Sequence, residues 1–123
     1  MEKSNRNKRD IGKEGEEIAV KYLEEKGFEI IERNYQYGHG EIDIVAKDKD
    51  ELVFIEVKTR LNLELGEPEY AVNQRKIKQI KKMAELYLFD KEIEEENCRF
   101  DVIAIILLNK TIPQITHYES AFI

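Results

Sequence analysis

Glu41, Asp43, Glu56 and Lys58 interrupt two runs, GEIDIVAKD and ELVFIEVKTR, that otherwise read as buried strand. Residues at every second position of a strand share one face. If Asp48 to Glu51 form a four-residue hairpin loop, Lys47 lies opposite Leu52, Asp43 opposite Glu56 and Glu41 opposite Lys58. All four charges then share a face, and Ile42, Ile44, Ile55 and Val57 take the other. Opposed side chains in a hairpin are about 5 Å apart, where like charges repel. Carboxylates drawn out of water that close together keep a proton unless a cation neutralises them. Mg²⁺ or Mn²⁺ would serve, because such hard cations take oxygen ligands, often one or two carboxylates with water and phosphate completing the shell. Asp43 and Glu56 supply the carboxylates, the carbonyl of Val57 a third protein oxygen, and Lys58 an ammonium beside them. That set suits hydrolysis of a phosphodiester: the cation acidifies water and screens the phosphate, and the lysine holds the water or stabilises charge growing on phosphorus. The plainer reading of the same spacing is a solvent-exposed hairpin with a Glu–Lys cross-strand pair of small energetic consequence.

The flanking segments must position these groups. Ile11, Ile18, Ala19, Tyr22 and Leu23 recur at helical steps from Asp10, a candidate N-cap, to Gly27, a candidate stop. Phe28 to Tyr35 reads as a strand and QYGHG as a turn. After the hairpin, Leu61 to Tyr70 carries Gly66 and Pro68 and reads as a loop. A long helix follows over roughly Glu69 to Lys91, with Val72, Ile80, Met83, Ala84, Tyr87 and Leu88 on one face. Arg99 to Leu108 is an apolar run suited to burial on both faces, and Gln114 to Glu119 a weaker edge strand. This order predicts an α/β fold, a mixed β-sheet of about five strands flanked by helices with an αβββαβ core. The long helix should cross over to a strand parallel to Leu52–Arg60, placing Arg99–Leu108 beside it. We read residues 1–9 as a flexible basic segment and 10–123 as a single domain.

Composition narrows the classes. No apolar stretch approaches the roughly 18 residues of a membrane span, the start lacks the apolar core of a secretory signal, and the single cysteine, Cys98, excludes an internal disulfide. A cytoplasmic location without membrane contact is the expectation. The net charge of −6 speaks against nucleic acid, but the charge is segregated. Lys3, Arg6, Lys8, Arg9 and Lys13 crowd the start, and RKIKQIKK at Arg75 to Lys82 is strongly basic. Local patches steer a polyanion more than the total does. Solvated helix faces are the bland account of the same runs.

Asp43, followed on the next strand by Glu56-Val57-Lys58, resembles the D…ExK signature of the PD-(D/E)xK nucleases. The segments GKEGEEIAVKYL, N…GHGEIDIVA, VFIEVKTR, AVNQRKIKQIKKMAELYL, CRFDVIAI and ESAFI occur in order. Together they resemble the YraN family of endonuclease-like proteins, from about Gly12 onward, and that family is similar to archaeal Holliday-junction resolvases. The resemblance implies a restriction-endonuclease-like fold and a metal-dependent endonuclease acting on DNA in preference to RNA, which the sequence does not separate from it, with branched or structured DNA as one substrate form. It implies Glu16, ahead of its neighbour Glu17, as a helix-borne acid near the metal, Glu41 as a supporting group paired with Lys58 or a water, and Gln74 and Lys76 as substrate contacts. Ile42 stands where the superfamily's proline would precede Asp43, a position that is not a ligand. Resolvases of this type cut symmetrically as dimers, so a homodimer stays open. Arg99 and Asp101 read as a structural ion pair. The rival function is a non-catalytic module that binds nucleic acid or protein and keeps the nuclease fold.

Overall fold

The structure, a computed structural model, describes residues 7–61, 73–94, 97–108 and 112–122. The expected loop beyond Leu61, the expected helix start at Glu69, Val72, and Lys3 and Arg6 lie outside these residues. The described elements are α1 (Lys8–Glu25), β1 (Glu29–Tyr37), β2 (Gly40–Asp48), β3 (Glu51–Arg60), α2 (Gln74–Asp90), β4 (Cys98–Ile106) and β5 (Gln114–Phe122). The strands form one mixed sheet in the order β1-β2-β3-β4-β5. Only β3 and β4 run parallel, and α2 lies between them in the chain. This is the expected α/β arrangement, with β5 added at the edge.

Alternation along the strands sorts the core onto two faces. Val53 and Ile55 of β3 pack with Ala19 and Leu23 of α1, together with Ile44, Ala46, Ile103 and Ile105. Leu52 and Phe54 turn the other way, onto Met83, Ala84 and Tyr87 of α2. Leu23, Ile44, Val53 and Ile105 are fully buried, and a side chain of that size contributes about 1.5–3 kcal/mol when taken out of water.

Helix α1 begins earlier than the sequence suggested. Its cap is Asn7, not Asp10, and the Asn7 side chain accepts the Asp10 N–H at 2.9 Å. Lys8 and Arg9 are therefore helical rather than part of a loose tail. The stop is as expected: Gly27 adopts φ +96°, and the N–H groups of Gly27 and Phe28 close on Glu24 and Leu23, which caps the last carbonyls. Helix α2 opens at Gln74 with Asn73 as its cap.

The hairpin loop is also tighter than expected. Asp48 pairs with Glu51, leaving Lys49 and Asp50 as the turn, with Lys49 at φ +58°. The register is unaltered, because trimming both ends of a loop equally leaves every pair in place; Lys47 opposes Leu52 and Ile44 opposes Ile55.

Beyond Ile44 the expected alternation fails. Ile44 belongs to the α1 face, whereas Ile42 packs with Tyr35, Val45 and Phe54 on the α2 face. Across the ladder β1 does the same. Arg33 reaches Glu17 of α1 at 2.7 Å, while Tyr35 packs toward α2. The pairs Arg33↔Ile44 and Tyr35↔Ile42 bracket Asn34 and Asp43. Asn34 sits at φ +52°, a conformation that asparagine tolerates better than most residues. Two neighbouring strands thus switch faces together, with Asp43 at the pivot. Ile42 does not share the face of Ile44, as a regular strand would require.

Candidate metal and phosphodiester site

The β2–β3 ladder ends at Ile44↔Ile55, so Asp43 and Glu56 are not a ladder pair. In place of the next rung, the Asp43 carboxylate accepts the Val57 N–H at 2.8 Å. An extended residue aims its N–H and C=O to the same side, so the Val57 carbonyl faces the same gap. Glu41 pairs across the ladder with Gln36 of β1 and lines a cleft with Glu16 and Asn34. The expected Glu41–Lys58 pair is replaced by Lys58 on Glu56, Nζ to Oε1 at 3.6 Å.

Glu56 is 9 % exposed and sits on the α2 face of β3. A second ammonium reaches it from the first turn of α2: Lys76 Nζ lies 3.5 Å from Oε1. The Asn73 cap fixes that turn by accepting the Lys76 N–H at 2.9 Å. Gln74 opens α2, is exposed, and is not among the side chains that meet at Glu56.

Glu16 arrives from the opposite side on α1. Gly15 makes this possible, since a Cβ there would overlap the Thr59 side chain of β3. A mid-helix glycine costs about 1 kcal/mol relative to alanine, and here it lets the helix lie directly on the strand end. Gly12, by contrast, has nothing within 4 Å of where a Cβ would stand, so of the two glycines only Gly15 serves close approach. Gly40 does for α2 what Gly15 does for α1, since its Cβ would meet Met83.

The electrostatics follow from this convergence. Burial pushes the Asp43 carboxyl up to about 7, the charge of Glu56 adds to it, Glu16 and Glu41 push the same way, and the Val57 N–H offsets only part. Glu16 is also raised, by burial first, with Glu41 and Glu56 adding; a hydrogen bond from the Asn34 side chain and the Arg33 charge oppose it. Asn34 was missed in the sequence. Its signal was a polar residue of poor strand propensity inside an apolar run.

Among the described residues, no group of three or more His, Cys, Asp or Glu side chains is placed to hold an ion. Asp43 and Glu56 lie close enough for the charge of one to act on the other, and Asp43 is held far from its ordinary ionisation, with the Val57 backbone beside it. The donors fit a hard divalent cation that keeps several waters.

Arg99 and Asp101 form the expected ion pair, and it is larger than a pair. Asp101 is 1 % exposed. It takes Arg99 Nε at 3.0 Å, His117 Nε2 at 2.7 Å and the Ser120 N–H at 3.0 Å. Arg99 continues to Glu51 and Asp48, at 2.8 and 2.9 Å.

The profile of the uncharacterised protein family UPF0102 matches residues 15–105. The chain belongs to that family. It is 46% identical over 104 residues to a UPF0102 protein of Dictyoglomus turgidum, covering 85% of this chain and 88% of the relative. It is 48% identical over 101 residues to one of Dictyoglomus thermophilum, covering 82% and 86%. With a UPF0102 protein of Chlorobium phaeobacteroides it shares 47% identity over 109 residues, covering 89% and 86%. UPF0102 is the YraN family that the motifs resembled, a nuclease-like member of the PD-(D/E)xK superfamily. The UPF0102 match spans every residue placed at the site from Glu16 to Lys76. No helix among the described residues is long and apolar enough to cross a membrane.

Proposed function

We propose that this chain hydrolyses phosphodiester bonds in DNA with the help of Mg²⁺ or Mn²⁺. The observation that carries the reading is Asp43. A carboxylate held at about 7 beside Glu56, with Glu16 and Glu41 near, is unfavourable for folding and is what a cation site needs. When bound, the cation would supply positive charge to the phosphate and acidify water. Asp43, Glu56 and the Val57 carbonyl would hold it. Lys58 would orient or deprotonate the attacking water, Glu16 would hold a water or accept a proton from the other side, and Lys76 would bind a phosphate oxygen. Gln74, exposed at the start of α2, is left as a substrate contact at the rim. The chemistry needs no membrane, and a cytoplasmic enzyme is the consistent setting.

One feature favours a second reading, a nucleic-acid-binding module without cleavage. Lys58 and Lys76 already neutralise Glu56, so the face can be balanced without an ion. Calorimetry with Mn²⁺ separates the two. The proposal expects saturable binding that Asp43→Asn and Glu56→Gln abolish, and metal-dependent cutting of at least one of single-stranded, duplex or four-way-junction DNA. Intact DNA of all three forms after incubation with Mn²⁺ would leave only the binding module.

A further inference from the structure

We propose that a single DNA strand runs through a trough beneath the first turns of α1, and that position 12 carries no side chain so that the strand can pass. This deepens the preceding reading and rests on it for the identity of the polymer. Lys8, Gly12 and Glu16, each four residues apart, form one stripe along α1. All three line two clefts, one of about 430 Å³ and the other of about 420 Å³. The first is completed by Arg9 and Lys13 of α1, by Asn34 and Gln36 of β1 and by Glu41 of β2. The second lies over the end of β3, against Val57, Thr59 and Arg60. Lys8, Gly12 and Glu16 stand in both, so the clefts adjoin along that stripe.

Gly12 is the middle residue of that junction. Among the described residues nothing gives it a packing reason to be glycine, because none lies within 4 Å of where a Cβ would stand. Alanine there would favour the helix by the usual margin between the two residues. The contrast with Gly15, where a Cβ would overlap Thr59, shows that the two glycines answer different needs. What a side chain at position 12 would obstruct is the passage between the clefts.

The occupant follows from charge and size. Lys8, Arg9 and Lys13 edge one cleft and Arg60 the other, with Glu16 in both and Glu41 in the first; the cations suit successive phosphates, and the two acids belong to the group that acts on Asp43. Clefts of this volume take groups of small-molecule size, which suits one strand rather than a duplex. Among the described residues the polar contacts offered are mostly charged groups, with no aromatic ring, so binding should be tolerant of sequence and sensitive to salt.

The test uses the full chain and a fluorescein-labelled 15-nucleotide oligo-dT, with fluorescence anisotropy in EDTA so that binding is read without cutting. Gly12→Phe should weaken Kd at least ten-fold and Gly12→Ala by less, with the Tm of the alanine variant equal to or above that of the wild type. Mn²⁺ affinity should be unchanged in both. A wild type that fails to bind the oligonucleotide, a Kd that does not follow side-chain size at position 12, or a blunt duplex of equal length bound more tightly than the single strand would each overturn the trough. Failure to cut DNA in Mn²⁺ would sink the hydrolase reading alone and leave this readout standing.

Discussion

Asp43 and Asp101 are the same residue type in one sheet, and both sit where a ladder breaks. Asp43 lies just past the last rung of β2–β3. Asp101 lies at the register shift of β4–β5, between Phe100↔Phe122 and Val102↔Tyr118. Each carboxylate takes a backbone N–H that the broken ladder has released, from Val57 at 2.8 Å and from Ser120 at 3.0 Å. Ser120 turns to φ +50° at that point. Their surroundings then diverge. Burial would raise Asp101, but His117, Arg99 and the Ser120 N–H outweigh it and hold it below the ordinary carboxylate range. Asp43 receives one N–H and faces three acids, and it is pushed up to about 7. Burial is common to both, so the sign is decided by neighbours. A satisfied aspartate holds the fold together, tying β4, β5 and the β2–β3 turn through Arg99. One left facing other acids is a place for chemistry.

The most forceful way to break this comparison is Asp101→Ala. It leaves the Ser120 N–H and the His117 ring without their acceptor and takes one of the carboxylates from Arg99, which keeps Glu51 and Asp48; each buried polar group left without a partner costs about 1–3 kcal/mol. The expected outcome is a fall in Tm of roughly 10 °C or more, measured by calorimetry, with no gain at any pH. A fall of only a degree or two would mean that the network is ornamental.

Asp43→Asn should act in the opposite direction. The folded protein holds the Asp43 proton up to about 7, while the unfolded chain releases it near 4. Between those values the folded state binds more protons, so wild-type stability falls as pH rises and the penalty is complete above pH 7. The span corresponds to about 4 kcal/mol at most. Asparagine has no such penalty and keeps an oxygen for the Val57 N–H. Urea unfolding without metal should therefore show the variant more stable than the wild type by about 2–4 kcal/mol at pH 8 and nearly equal at pH 4. For Asp101 the sign reverses. Its stabilisation is present above the unfolded value near 4 and is lost as pH falls through its depressed folded value. The wild type should thus lose stability on both sides, from Asp43 toward alkaline pH and from Asp101 toward acid.

Much of this was legible in the sequence, and the misses at the carboxylates have a shared cause. Apolar periodicity located every described element, and alternation within β3 placed Glu56 and Lys58 on one face, as their contact shows. The parallel placement of β4 beside β3 followed from the long helix between them. What pattern could not show was the switch of faces at Asn34 and Asp43. Alternation assumes a regular strand, and the site exists because two strands stop being regular together. The partners of Asp101 were hidden for a related reason. His117 and Ser120 come from a strand whose register shifts by its bulge, so no fixed offset in the chain points to them.

Asn34 supplies the smallest and most discriminating test. Its backbone lies at φ +52°, and its side chain bonds Glu16, so two roles are superimposed on one residue. Alanine removes both and strains the backbone, at about 1–2 kcal/mol. Glycine removes the hydrogen bond and keeps the backbone at ease, so its stability should lie within about 0.5 kcal/mol of the wild type. If Asn34 serves only the bend, Asn34→Gly should leave Glu16 as it was. If it also positions the acid, the Glu16 carboxyl, followed by ¹³C NMR titration, should rise further in Asn34→Gly, because the hydrogen bond that opposes its upward shift is gone. An unmoved Glu16 titration in a stable Asn34→Gly protein would assign Asn34 to the bend alone. The face switch would then be a feature of the sheet that the acid cluster uses without being tuned by it.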